Sequence, residues 1–115
     1  MAVAAMACHP GLAALPEQSL EDALSLCREE SRYLYVAFLG TDWSMSSKRF
    51  SENVLETEAF EALTMGSLLF YPIDARKNPP LSPKDKYRLQ AMVIHFDIKS
   101  YPTLILIAPD GKELL

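Results

Sequence analysis

Residues 33–49 read Tyr33-Leu34-Tyr35-Val36-Ala37-Phe38-Leu39-Gly40-Thr41-Asp42-Trp43-Ser44-Met45-Ser46-Ser47-Lys48-Arg49. The run from Tyr33 to Leu39 is wholly aliphatic and aromatic and is closed by a glycine, which predicts a strand buried on both faces. Asp42-Trp43-Ser44 then begins a polar-rich helix whose apolar positions Met45, Phe50, Val54 and Leu55 recur at near-helical spacing. A shorter helical turn, Thr57 to Leu63, extends it after a break. A buried strand that feeds a helix through a tight turn is the start of an α/β arrangement.

Upstream, Ser19-x-x-Asp22 is a capping box that opens a helix running to about Glu30, with Glu21 and Asp22 at the end of the helix dipole that favours acids. Leu20, Ala23, Leu24 and Cys27 share one face of it. Downstream, Leu68 to Ile73 (LLFYPI) predicts a second buried strand, where Pro72 marks either its end or an irregular edge. Arg76 to Pro80 is a loop. Ser82-Pro83-Lys84-Asp85 combines an N-cap serine, a proline in the first turn and an acid three residues on, so a further helix starts there; Tyr87, Ala91, Ile94 and Ile98 set its apolar face. Lys99-Ser100-Tyr101-Pro102 breaks it. Thr103 to Ala108 is an apolar strand, Pro109-Asp110-Gly111 a tight turn, and Lys112 to Leu115 a returning strand. The order α-β-α-β-α-β-β implies a central mixed sheet flanked by helices, ending in an antiparallel hairpin.

The 115 residues are half hydrophobic and carry a net charge of -4, as one compact domain should. This acidic balance excludes a continuous basic stripe for nucleic acid, and no apolar run approaches the roughly 18 to 20 residues that cross a bilayer. Residues 1–17 read as a flexible apolar leader: residues 1–16 hold no Asp, Glu, Lys or Arg, and Ala5-Met6-Ala7-Cys8 has the small-residue pattern of a signal-peptidase site or a degenerate lipobox. If the leader is an export remnant, the protein is periplasmic or otherwise exported and Cys8 is a lipidation candidate; if it is a frayed terminus, a cytoplasmic location is the alternative. Cys8 and Cys27 are the two cysteines, too few for a disulfide framework. Cys27 is expected in the core. His9 beside Cys8 lacks further ligands at metal-binding spacing, and neither a metal nor an organic cofactor is implied.

The segment Gly40 to Arg49 resembles the G-x-D-W-C-x-x-C-K segment of thioredoxin-fold thiol-disulfide oxidoreductases. The resemblance extends over residues 18–115. Val54 and Phe60 match apolar anchors after the active helix, Phe96-x-Ile98-x-x-Tyr101-Pro102-Thr103 matches the element before the penultimate strand, and Pro109-Asp110-Gly111-Lys112-Glu113 matches the usual hairpin. Exported bacterial proteins of the chlamydial DsbH type, or the C-terminal domain of DsbD, are the most similar flavour. The resemblance implies a thioredoxin-like fold, disulfide exchange on protein substrates, a redox partner protein, a monomer, and a cis Pro102 lining a substrate groove with Tyr101. Trp43 and Met45 are further groove candidates, although Trp43 could equally be a lid over the core. A last helix, usual in the family after the final strand, is not expected within these residues, either because the chain is cut at Leu115 or because this member is minimal.

Two departures bear on chemistry. The family cysteines would fall at positions 44 and 47, and both are serine here. Exchange needs a thiolate that attacks a disulfide and a second thiol that releases it; serine does neither, so the chain as written is expected to be redox-inactive. The serines arise either by natural substitution or by deliberate isosteric replacement. The family's buried acid beneath the active pair is also missing from Val36-Ala37-Phe38. Three classes of function follow: an oxidoreductase (reductase or isomerase) in an inactive S-x-x-S form, a natural pseudo-enzyme that binds extended peptides as chaperone or adaptor, or a purely structural domain. A serine hydrolase is disfavoured, since there is no G-x-S-x-G elbow and His95 lies on a helix.

Overall fold

The computed structural model describes residues 15–114. Eight elements follow one another: α1 (Leu20–Glu30), β1 (Tyr33–Leu39), α2 (Met45–Phe50), a π-helical turn (Ser51–Leu55), α3 (Glu58–Thr64), β2 (Leu68–Asp74), α4 (Pro83–Phe96) and β3 (Thr103–Ile107). Among the described residues the strands form one sheet in the order β2-β1-β3. β1 runs parallel to β2, with Leu34 opposite Leu69, and antiparallel to β3, with Val36 opposite Ile105.

The pleat of β1 sorts its side chains onto two cores. Leu34, Val36 and Phe38 join Leu69, Tyr71, Ile73, Ile105 and Ile107 under α1 and α4, which contribute Ala23, Cys27 and Met92. Tyr35, Ala37 and Leu39 face the other way, onto Phe50, Leu55, Phe60, Phe70 and Leu104. The central strand is therefore covered on both sides, as its unbroken apolar sequence predicts.

The helix caps expected from sequence are present. Ser19 Oγ accepts from Asp22 N–H at 3.1 Å and Ser82 Oγ from Asp85 N–H at 3.1 Å. Elsewhere the structure corrects the sequence reading. The helix after β1 starts at Met45, with Ser44 as its N-cap, and not at Asp42. It passes into the π-helical turn, whose longer hydrogen-bonded step shifts the helix phase; Leu55 packs on the second core while Val54, expected as an anchor, is exposed. Tyr87 and Ile94, expected on the buried face of α4, are 76% and 79% exposed, and Ala91 is exposed too. The face that packs is Leu89, Met92, Val93 and Phe96.

Pro72 does not end its strand. Ser67 C=O accepts from Tyr33 N–H and Ala75 N–H donates to Leu39 C=O, so odd-numbered residues of β2 point their backbone at β1. Pro72 therefore faces away from β1, on the outer side of the sheet formed by the described residues, where its missing N–H breaks no bond within that sheet. The returning strand shrinks to one bridge, Ile107 with Glu113, around the Asp110-Gly111 turn. Leu15 is buried in the first core, and Arg88 of α4 donates to the carbonyls of Pro16 and Gln18, so residues 15 and 16, expected in the leader of residues 1–17, already belong to the packed domain. The rest of that leader, with Cys8 and His9, lies outside the described residues.

Candidate functional site

β1 delivers the chain to the sheet end at Gly40, and the loop Gly40–Ser44 turns it into α2. Trp43 and Ser44 N–H groups both donate to Gly40 C=O, closing the turn. A side chain at Gly40 is excluded by Trp43, since a Cβ there would lie 2.4 Å from indole atoms Cε2 and Cζ2. The two serines act through their oxygens. Ser44 Oγ accepts from Ser47 N–H at 3.1 Å and caps α2. Ser47, 0% exposed, accepts from Gly40 N–H at 3.0 Å through its own Oγ. Each hydroxyl thus satisfies a backbone donor that the turn and the helix start would otherwise leave unpaired.

Three successive loop residues are bound to the end of β2 and the segment that follows it. Thr41 donates to Asp74 from its N–H (3.0 Å) and its Oγ1 (2.7 Å). Asp42 accepts from Lys77 N–H at 3.1 Å and from Asn78 N–H at 2.8 Å. Trp43 Nε1–H donates to Ala75 C=O at 2.8 Å. Desolvation pushes the Asp42 carboxyl up, but the N–H groups of Asn78, Lys77 and Asp42 itself, with the charge of Arg76, outweigh it and hold the carboxyl below its ordinary value.

Trp43 is 43% exposed. Tyr101 meets it edge-on, ring centroids 5.3 Å apart and planes at 72°, and Lys77 Nζ lies 4.9 Å from its ring centroid. The Tyr101–Pro102 bond is cis, and both residues are half-buried; burial pushes the Tyr101 phenol up. The structure therefore brings Trp43 and Tyr101 together, with Pro102 next to Tyr101 in the chain, at the turn that leads through Ser44 into α2 and Ser47. Met45 follows Ser44 at the start of α2, 61% exposed, with its side chain open to solvent.

Several residues of this assembly escaped the sequence reading. One is a buried acid on the neighbouring strand, Asp74 at the end of β2, which accepts from Thr41. Asp42, Lys77 and the Ala75 carbonyl were equally silent; their partners lie 32 to 36 residues away in sequence, and no local pattern marks such a pair. Cys27 is a buried thiol that desolvation pushes up, with the charge of Arg32 opposing and that of Glu30 adding to it. His95 is exposed on α4, edge-on to Phe96. Among the described residues no three His, Cys, Asp or Glu come together as metal ligands, and no helix is long and apolar enough to cross a membrane.

Comparison with known proteins agrees with this geometry. The chain is similar to the disulfide bond reductase DsbH of Chlamydia pneumoniae, 21% identical over 97 residues that make up 84% of this chain and 58% of the relative. It is also similar to the thioredoxin-related protein DsbJ of the same organism, 24% identical over 94 residues, 82% of this chain and 27% of the relative. The chain thus spans little more than half the length of one curated relative and about a quarter of the other. A solved structure of a DsbH oxidoreductase superposes with a TM-score of 0.76 at 20% identity, over 90% of this chain and 72% of that one. The model of the thioredoxin-like domain matches residues 20–115. With that match spanning α1 to the last bridge, the chain belongs to the thioredoxin-like domain family.

Proposed function

We propose that this protein is a redox-inactive S-x-x-S member of its family, which binds extended protein segments over Trp43, Met45, Tyr101 and Pro102 without exchanging disulfides. The observation that carries the reading is the engagement of both hydroxyls: Ser44 Oγ and Ser47 Oγ are acceptors for backbone N–H groups at the start of α2. An alcohol has neither the acidity nor the sulfur needed to form and release a mixed disulfide, whereas the exposed Trp43 edge-on to half-buried Tyr101, with Pro102 next in the chain and Met45 exposed at the start of α2, supports an apolar surface for an extended chain. The partners are protein or peptide segments. An exported location belongs to the same reading and rests on Ala5-Met6-Ala7-Cys8; the intact mass of protein from a native host tests it.

The experiment compares this chain with Ser44→Cys/Ser47→Cys, both in a Cys8→Ser/Cys27→Ser background, for reduction of a protein disulfide. Activity confined to the dicysteine form is the expected outcome, and it would make the scaffold an oxidoreductase that the serines silence. Reduction by the serine form would sink the proposal. Inactivity of both folded forms would leave peptide binding alone as the function of the groove.

A further inference from the structure

We propose that the surface beside Trp43 selects extended peptides in which an aspartate or glutamate adjoins an apolar residue; this specifies the ligand of the groove and rests on the peptide-binding reading above. The first observation is the placement of Lys77. Its N–H is held by the Asp42 carboxylate, with that of Asn78 beside it, so its backbone is anchored to the loop that bears the indole. From there Nζ stands 4.9 Å from the ring centroid of Trp43. The ring quadrupole attracts the ammonium, and an ammonium has three donors and no acceptor, so it can still bind an anion at the edge of the ring.

The second observation is the balance of charge around the groove. The chain as a whole carries -4, yet the two segments that build this end, 40–49 and 74–78, hold Lys48, Arg49, Arg76 and Lys77 against Asp42 and Asp74, and these acids keep their charge while accepting bonds within the fold. Asp42 accepts from two backbone N–H groups, Asp74 is buried against Thr41, and Asp97 pairs with Lys99 at 3.0 Å. Lys48 and Arg49 are exposed on α2, one turn after Ser44, and like Lys77 they enter none of the salt bridges among the described residues. A peptide carboxylate placed at Lys77 gains this cation while its apolar neighbour covers Trp43. A neutral peptide gains only the apolar contact, and a basic one meets like charge.

The single tryptophan of the chain sits in this site, so its fluorescence reports occupancy. Three blocked seven-residue peptides serve as probes, identical except that a central leucine is flanked by aspartates, asparagines or lysines. The aspartate peptide is expected to bind about fivefold more tightly than the asparagine peptide at low ionic strength, the size of effect expected for exposed ion pairs. High salt should shrink that ratio towards one, and Lys77→Gln should lower it at low salt. Equal affinities for the three peptides, or preference for the lysine peptide, would overturn the acidic selectivity while the groove itself stands. No fluorescence response to any of them, from a chain with native circular dichroism, would remove the groove reading and this proposal together.

Discussion

Ser47 has no contact with solvent, and its Oγ is the acceptor for the N–H of buried Gly40. Ser47→Ala deletes the acceptor and leaves that donor without a partner, so unfolding in urea should show a loss of about 1 to 3 kcal/mol. Ser44→Ala removes only a helix cap at a half-buried position and should cost about 1 kcal/mol. The reverse order of the two losses would mean that the Gly40 N–H finds another acceptor. These roles were partly legible in the sequence. The serines stood out because the resemblance places the family's cysteines at their positions, but what their oxygens bind depends on the fold of the turn, which residue types alone do not specify.

Helix α4 shows where the reading of an element succeeds and fails. Its start is written locally, in the Ser82 cap and Pro83, and both are found. Its buried face is not, because α4 carries apolar side chains on two sides. Tyr87, Ala91 and Ile94 keep helical spacing as well as Leu89, Met92 and Phe96 do, and only the position of the sheet decides between the stripes. Thermal or urea unfolding checks the outcome. Met92→Ala is expected to lose about 2 kcal/mol or more, as for a truncated core residue, while Ile94→Ala should stay within about 0.5 kcal/mol, as surface substitutions do. The α2 segment failed for a related reason. Its start was read at Asp42 and lies at Met45, and both Val54 and Leu55 were expected on the apolar face; the π-helical turn changes the angular step, and of the two only Leu55 packs.

Across the molecule, the mixed sheet with helices on both faces followed from the order of apolar runs and caps, and the thioredoxin-like resemblance from the segment after β1. The ties between distant segments did not. Tyr71 Oη–H donates to Gln18 C=O at 2.7 Å, Arg88 reaches Pro16, Gln18 and Tyr71, and the loop 41–43 binds residues 74–78. Cys27 is a probe of this whole assembly, since it sits in the first core with its pKa raised by burial. In a Cys8→Ser chain an aromatic disulfide reagent should label Cys27 on the order of a thousandfold more slowly in buffer than in denaturing urea, following the rarity of global opening. Rapid labelling in buffer would show that α1 lifts from the sheet by itself.

The outward placement of Pro72 has a consequence for how these molecules behave when crowded together. A strand edge grows by offering a regular ladder of donors and acceptors to the next chain, and the rung at Pro72 has a ring where the donor should be. The chain thus keeps an aromatic and aliphatic strand, Leu68–Asp74, at the margin of the described sheet with one donor missing from that edge, and the proline that looked like an interruption in the sequence is expected to weaken pairing of that edge with a second copy.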